Sequence, residues 1–328
     1  MFVLVVGLVA TLGYVLTPIV AAFSCRIGAL DVPQDWRRMH RTPIPRGGGI
    51  AIFLPFLIGC AILEEGSASF SSAIGGMALI LAVGLTDDVF CLGAFTKLAF
   101  QIAAALSAVL GSGIGNTWTE VALSVLWVVL LTNAHNLIDG MDGLFAGCAG
   151  SESLLLAVTA MLIGRYDVAQ LSILLSVACF AFRPYNRYPA RVFAGDCGSE
   201  SVGFLLGVLS LALFQTPILS MPNLSPLFLF AYPLADLFAS VVRRLLNGKS
   251  PFAADRAHFH HRIYAAGLTV PECTRVLLCI SLMLGAVGVT VRSFELWGYA
   301  AAASALCVPL LLGIRRYVLQ NRSAKERF

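Results

Sequence analysis

The chain contains about eleven stretches of mostly apolar residues, each close to the roughly 20 residues that an α-helix needs to cross a bilayer. Short polar segments separate these stretches, and 58% of the 328 residues are hydrophobic while only 12% are charged. The apolar runs are longer than barrel strands and lack period-two alternation. The sequence therefore predicts an all-α fold, a polytopic transmembrane bundle of about 10–11 helices in one domain over residues 1–328. The predicted spans are 1–23, 47–63, 70–86, 95–112, 119–135, 144–163, 167–182, 201–219, 225–242, 272–290 and 295–314.

Basic residues lie on one side of this predicted bundle. No Lys or Arg precedes the first span, so we interpret it as a retained helix with its N-terminus outside. Alternation from that end places Arg165 and Arg292 outside and the other 20 of the 22 Lys and Arg residues inside. Because cytoplasmic loops collect Lys and Arg, the pattern predicts a cytoplasmic C-terminus and a basic cytoplasmic face. Such a face suits anionic ligands or lipids and requires no nucleic acid.

The third predicted span ends in two adjacent carboxylates, Asp87 and Asp88. The dipole at a helix C-terminus disfavours negative charge, so the pair is more stable beside a cation. One interpretation is a polar stop after an apolar span. The other is Mg²⁺ ligation together with a catalytic base, since hard cations prefer carboxylate oxygens and bind phosphates.

The segment 133–144 is the most informative part of the sequence, because two amides, a histidine and two carboxylates lie within ten residues at the mouth of a span. A polar connection between helices explains one or two such residues but not their density. Gly140 and Gly143 permit a tight turn or the close approach of a ligand. The candidate site residues here are Asn133, His135, Asn136, Asp139 and Asp142.

Three further segments carry polar chemistry on the same predicted face. Asp196 opens a span between glycines, which suits either a helix cap or a site for phosphate and metal. The segment 255–262 combines arginines with three histidines, which favours phosphate binding; zinc lacks a suitably spaced fourth ligand. The segment 40–49 places Arg46 before three glycines, either as a headgroup anchor or as a cover for a diphosphate. The candidates in the second segment are Arg256, His258, His260 and His261.

Taken together and in this order, these motifs resemble the polyprenyl-phosphate N-acetylhexosamine-1-phosphate transferase superfamily, glycosyltransferase family 4. The matching segments are 40–49, 84–90 with Lys97 and Gln101, 133–144, 192–199 and 255–261. The run from Pro43 to Gly49 and the His-Phe-His-His motif resemble the branch of undecaprenyl-phosphate N-acetylglucosamine-1-phosphate transferases more than the phospho-MurNAc-pentapeptide translocases. Cys91 departs from the family pattern, which often has a charged residue after the aspartate pair.

The resemblance implies an enzyme of the bacterial inner membrane with its active site on the cytoplasmic face. Its donor would be a UDP-N-acetylhexosamine, most simply UDP-GlcNAc, and its acceptor undecaprenyl phosphate. UMP would be released, and the lipid-linked diphosphate sugar would initiate the synthesis of a cell-envelope polysaccharide. The cofactor implied is Mg²⁺, with Mn²⁺ as its substitute. The resemblance leaves open the amino sugar, the choice between direct attack and an aspartyl-phosphate intermediate, and whether the enzyme forms a homodimer.

The resemblance also implies roles for individual residues. Asp196 and Asn136 would bind Mg²⁺, and Asp87 and Asp88 would supply the base or further metal contacts. Lys97 would lie near the acceptor phosphate. Asp139 and Asp142 would line the nucleotide or metal site. The other residues that would bind the substrates and their phosphates are Arg46, Asn133, Arg256, His258, His260 and His261.

Two rival functions fit the sequence less well. A transporter would carry ionisable residues or broken helices near the middle of the membrane, whereas the predicted spans are nearly free of charge. An intramembrane aspartyl protease would pair Asp167 with Asp196, but the predicted topology places these residues on opposite sides. A phospho-MurNAc-pentapeptide translocase on the same scaffold remains the alternative enzyme.

Overall fold

The computed structural model describes residues 1–33, 42–63, 68–113, 117–211, 225–253 and 257–294. Seven helices in these ranges are long and apolar enough to cross a membrane, which confirms the predicted multi-pass helical protein. They are α1 (Phe2–Ile27), α3 (Ala68–Phe90), α4 (Ala94–Ser112), α5 (Trp118–Ile138), α6 (Leu144–Leu162), α7 (Tyr166–Asn186) and α12 (Val270–Phe294). The other helices are α2 (Gly49–Ile62), α8 (Gly195–Leu211), α9 (Ser225–Leu229), α10 (Ala231–Leu246) and α11 (Phe259–Ala265).

The predicted span 225–242 differs from the structure, which ends α9 at Leu229 and begins α10 at Ala231. Pro233 explains the interruption, because it has no N–H for the carbonyl of Leu229 and its ring clashes with that carbonyl. The predicted span 295–314 lies outside the described residues. Two short strands, β1 (Leu30–Asp31) and β2 (Ile44–Pro45), pair antiparallel next to α1.

Helix α8 forms the centre of the bundle, and every residue in it except Asp196 is buried. It packs against α2, α3 and α5, while α6 packs against α7 and α12. Glycines allow the closest of these contacts. A Cβ at Gly84 of α3 would lie 2.5 Å from the Cα of Cys197, and one at Gly203 would lie 2.5 Å from the carbonyl oxygen of Leu131 in α5. The N-terminal turn of α8 is thereby held against its neighbours.

Successive helices alternate in direction, so the C-termini of α3, α5 and α7 meet the N-termini of α2, α4, α6 and α8 at one end of the bundle. We call this the polar end; it contains Gly48, Asp88, Asn136 and Asp196. Of the Lys and Arg residues that the structure describes, only Arg165 and Arg292 lie at the other end. The predicted one-sided distribution of charge is therefore a property of the folded bundle.

Candidate active site

A cavity of about 410 Å³ opens at the polar end. It collects residues from four of the five polar segments found in the sequence, although those segments are up to about 200 residues apart in the chain. Arg256 lies outside the described residues, as do the first two residues of the 40–49 segment, His40 and Arg41. The predicted site residues that line the cavity are Arg46, Asn136, Asp139, Asp142, Asp196, His258, His260 and His261.

Lys97 lies beside this cavity, at the centre of a group of carboxylates. Its Nζ is 3.2 Å from Asp87 Oδ2 and 3.2 Å from Glu200 Oε1, and it also contacts Asp196 Oδ2. Asp196 itself lines the cavity, so it joins the cavity to the Lys97 group. Three carboxylates around one ammonium ion keep the local charge negative, which favours a further cation at this place.

The two asparagines of the 133–144 segment support the same group. Asn136 donates through Nδ2 to Asp196 Oδ2 at 3.3 Å and to Glu200 Oε1 at 3.2 Å. Its Oδ1 accepts from the hydroxyl of Ser199 at 3.0 Å. Asn133 contacts the group only indirectly, because it donates to Gln101 Oε1 at 2.7 Å, and Gln101 donates to Glu200 at 3.0 Å.

The two adjacent aspartates at the end of α3, Asp87 and Asp88, lie in different environments. The Asp88 side chain has no exposed area, and its two oxygens accept from the N–H groups of Asp196 at 3.0 Å and Cys197 at 3.3 Å. It therefore caps the N-terminus of α8 from a neighbouring helix. The Asp87 side chain is 12% exposed and accepts from Lys97 and from the Leu92 N–H. Of the two, Asp87 is the carboxylate that a substrate can reach.

Asp139 and Asp142 lie in the turn between α5 and α6. Burial, with the nearby negative charge of Asp196, raises the pKa of Asp139 well above its ordinary value, while Arg46 opposes this. Asp142 accepts from the N–H of Ala190 at 2.9 Å and so holds the α7–α8 connection against the cavity.

Arg46 forms part of the cavity wall next to the β1–β2 pair. Its guanidinium donates to Asp31 Oδ1 at 3.2 Å and lies 3.9 Å from Asp88 Oδ1. The Arg46 side chain is 28% exposed, so it is held in place without being closed off from a ligand.

The three histidines of the 255–262 segment form one cluster that also lines the cavity. The rings of His258 and His260 are stacked with centroids 5.6 Å apart, and those of His260 and His261 are 4.3 Å apart. Burial and the two neighbouring imidazoles lower the pKa of His260 to about 3. His260 is 1% exposed, and neither of its ring nitrogens has a hydrogen-bond partner within the described part of the chain. Buried polar atoms are seldom left unpaired, so this cavity wall is suited to a polar ligand.

Gly140 explains how the histidine cluster approaches the α5–α6 turn. A Cβ at this position would lie 2.7 Å from His260 Nε2. The sequence indicated that Gly140 permits the close approach of a ligand, and in the structure the group that approaches it is His260.

The donor chemistry of the Lys97 group fits a hard cation such as Mg²⁺, which takes carboxylate and amide oxygens. Oxygens of Asp87, Asp196 and Glu200 already converge on one positive charge. The positive charge on which these oxygens converge is the ammonium group of Lys97. Within the described ranges, no group of three His, Cys, Asp or Glu side chains has the arrangement of a metal site.

Sequence reasoning missed several acidic residues because they lie inside apolar helices, where a single carboxylate carries no motif. Glu200 belongs to the Lys97 group, and Asp236 of α10 contacts His258 at 2.8 Å. Glu152, in the middle of α6, pairs with His135 at 2.8 Å, and both side chains are fully buried. Glu152 is the single charged residue of α6, so this span is nearly free of charge, as predicted. The available signal in the sequence was that Glu152 could pair with His135, which lies in the preceding helix.

Comparison with known proteins agrees with this arrangement. The family model described as glycosyl transferase family 4 matches residues 70–214. The chain is 31% identical to the probable undecaprenyl-phosphate N-acetylglucosaminyl 1-phosphate transferase of Bacillus subtilis, over 86% of this chain and 83% of that protein. It is 32% identical to the decaprenyl-phosphate N-acetylglucosaminephosphotransferase of Mycobacterium tuberculosis, over 86% and 80% of the two chains.

A third relative is the undecaprenyl-phosphate alpha-N-acetylglucosaminyl 1-phosphate transferase of Thermotoga maritima, 29% identical over 92% of this chain and 94% of that protein. The matches to these relatives extend over most of the chain. The resemblance inferred from the motifs is confirmed. The chain belongs to glycosyl transferase family 4, the superfamily of polyprenyl-phosphate N-acetylhexosamine-1-phosphate transferases.

Proposed function

We propose that the protein transfers N-acetylglucosamine-1-phosphate from UDP-GlcNAc to undecaprenyl phosphate and releases UMP. The product is a lipid-linked diphosphate sugar that initiates the synthesis of a cell-envelope glycan. The names of the relatives support the sugar and the polyprenyl phosphate. The observation that carries the proposal is the cavity, in which separate polar segments meet around a buried His260 with unpaired ring nitrogens.

The cavity is the proposed site of the donor. Its volume of about 410 Å³ lies within the usual range for small-molecule sites. Arg46 and the histidines His258, His260 and His261 line the cavity and are proposed to supply donors for diphosphate oxygens. Asp139 and Asp142 also line the cavity and are proposed to contact the uridine or the sugar.

The Lys97 group is the proposed site of the acceptor phosphate. Lys97 is 17% exposed and lies next to Asp87, so it can pair with an incoming phosphate at the edge of the cavity. Asp87 is the proposed base. Its task is small, because a phosphate monoester loses its second proton at a pKa of about 6. Asp88 is proposed to act by fixing the first turn of α8, and with it Asp196.

The reaction joins two anions, so the chain must reduce their repulsion. An oxygen of the acceptor phosphate attacks the β-phosphorus of the donor, and the bond from that phosphorus to the bridging oxygen breaks. Lys97 neutralises the attacking phosphate, while Arg46 and the histidines stabilise charge on the departing UMP. The proposed attack is direct, with Asp87 acting as the base and not as a nucleophile.

The proposed cofactor is Mg²⁺. Asp196 and the amide oxygen of Asn136 would hold it, with Asp87 as a further ligand. When bound, Mg²⁺ neutralises the diphosphate and the charge that develops on the leaving group. Mn²⁺ is expected to substitute, since it takes similar oxygen ligands.

The proposed orientation follows from the one-sided charge. Because Lys and Arg collect on the cytoplasmic side of membrane proteins, the polar end is placed in the cytoplasm. This puts the N-terminus outside and the C-terminus in the cytoplasm. It also exposes the cavity to a soluble UDP-sugar while the acceptor lipid stays in the inner membrane.

The experiment is a donor panel. Purified protein in lipid nanodiscs receives undecaprenyl phosphate, Mg²⁺ and one UDP-sugar at a time, and UMP release is measured. UDP-GlcNAc is expected to give the fastest release, chelation of Mg²⁺ to stop it, and Mn²⁺ to restore part of it. No UMP above background with any UDP-amino sugar would refute the proposal.

Two variants test the residues. Asp196→Asn and Asp87→Asn are expected to keep the size-exclusion profile of the wild type and to lose at least about 100-fold in kcat. Asp167→Asn, at the other end of the bundle, is the matched control and is expected to keep wild-type turnover. Near-normal turnover in both site variants would contradict the assignment.

A further inference from the structure

Asp236 is a buried carboxylate in a helix that otherwise carries little charge before its last turn. It lies in α10 with 0% exposure. Its Oδ2 is 2.8 Å from His258 Nδ1, and its Oδ1 accepts from the N–H of Phe259 at 2.8 Å. The two carboxylate oxygens therefore bind two consecutive residues, His258 and Phe259, at the start of α11.

This pairing determines which nitrogen of His258 is left for a ligand. An ionised carboxylate only accepts hydrogen bonds, so Nδ1 of His258 carries the proton that it donates to Asp236. Ser240 Oγ also lies 3.2 Å from Nδ1 and itself accepts from Arg243 at 2.9 Å. Nδ1 is thus enclosed by protein groups, and Nε2 is the nitrogen that remains available on a ring that lines the cavity.

The effect of Asp236 extends beyond His258. The His258 ring is stacked on His260 with an angle of 4° between the planes, and its centroid is 6.2 Å from that of His261. A change in the orientation of His258 would therefore displace the wall of the cavity formed by the other two imidazoles.

We propose that Asp236 is a positioning residue, which accepts from Nδ1–H of His258 so that this ring, as an imidazolium, donates its Nε2–H to a phosphate oxygen of the nucleoside diphosphate sugar. This inference rests on the function proposed above. Asp236 does not contact the substrate itself; it acts through His258, as outer carboxylates act on histidines that bind metals.

The decisive variant is Asp236→Asn, which preserves size but has one acceptor oxygen in place of two. It cannot accept from both His258 Nδ1 and the Phe259 N–H. We expect kcat/KM for UDP-GlcNAc to fall roughly tenfold or more, mainly through a higher donor KM. The KM for undecaprenyl phosphate is expected to stay within about twofold, because the Lys97 group is unchanged.

A double-mutant cycle separates positioning from general structural support. In a His258→Gln background, Asp236→Asn is expected to cause little further loss of kcat/KM, because its target is already absent. The matched control is Glu152→Gln, which alters another buried carboxylate–histidine pair outside the cavity and should leave the donor KM unchanged. An unchanged donor KM in Asp236→Asn, or fully additive losses in the cycle, would overturn the proposal.

A second measurement does not depend on the folding of any Asp236 variant. The chain has five histidines, so ¹⁵N-histidine NMR of the wild type, with His258→Gln used for assignment, reports the tautomer of His258 under alkaline conditions. A protonated Nδ1 is expected, and a protonated Nε2 with a bare Nδ1 would overturn the proposal. A wild-type protein that releases no UMP would refute the proposed function instead, so the two failures are distinguishable.

Discussion

The pair formed by His135 and Glu152 gives the sharpest prediction about stability. Both side chains are fully buried, and His135 Nε2 lies 2.8 Å from Glu152 Oε2. The second ring nitrogen is 2.8 Å from the Leu131 carbonyl oxygen, and Ser281 donates to Glu152 Oε1 at 2.9 Å. The pair thus joins α5, α6 and α12 through a continuous set of hydrogen bonds.

The perturbation is His135→Leu, which leaves Glu152 with Ser281 as its partner in this set. Removing one member of a buried ion pair typically costs about 3 to 5 kcal/mol, because the remaining group stays buried without compensation. On the scale of soluble domains this corresponds to a fall in Tm of roughly 6 to 20 °C. Replacing both partners by apolar residues, His135→Leu with Glu152→Met, is expected to recover most of the loss.

The assay is thermal unfolding of the purified protein in detergent, followed by the change in intrinsic fluorescence. The matched control is Asp167→Asn, which breaks the bidentate pair with Arg165, whose side chains are 55% and 44% exposed. An exposed pair contributes about 0 to 1 kcal/mol, so this control should move Tm by only a few degrees. Equal shifts in His135→Leu and Asp167→Asn, or no recovery in the double variant, would refute the reasoning.

Three further predictions follow from the structure. Gly84→Ala should lower Tm, since its Cβ would overlap α8 at an overpacking cost of about 1 to 3 kcal/mol, while Gly75→Ala, with nothing within 4 Å, should not. The pKa of His260 is lowered from 6.5 to about 3, so on acidification the unfolded chain takes up a proton at this residue before the folded chain does. The stability of the fold therefore falls as the pH drops from 6.5 towards 3. His260→Gln removes this effect and should reduce the loss of Tm between about pH 7 and about pH 5. An equal loss in both proteins would contradict this. Direct attack predicts inversion at the β-phosphorus of a chirally labelled donor, and retention would indicate an aspartyl-phosphate intermediate in place of it.

Much of the architecture could be predicted because the physical signals are strong and local. The length of the apolar runs predicted the helices, and the Lys and Arg residues other than Arg165 and Arg292 indicated which end of the bundle is polar. The interruption near Phe230 was harder to predict, because it depends on where Pro233 falls relative to the preceding turn. An average of hydropathy over the span does not show the position of this proline.

The site was predictable where several polar residues cluster in sequence. The 133–144 segment and the histidines were found in this way, and the structure brings most of them to one cavity. Different environments for two adjacent residues cannot be read from sequence, so the capping role of Asp88 beside the accessible Asp87 emerged only from the fold. The roles of single carboxylates such as Glu200 and Asp236 depend on partners from distant parts of the chain, so the sequence alone does not predict them.

The most direct test of the central claim follows two labels on the donor. UDP-GlcNAc labelled with ³²P at either the α- or the β-phosphate is incubated with undecaprenyl phosphate, Mg²⁺ and the protein in nanodiscs. The proposed attack on the β-phosphorus predicts that the α-label leaves as UMP while the β-label enters the lipid with the sugar. Release of both labels as UDP would mean transfer of the sugar alone and would contradict the account, as would the absence of β-label from the lipid.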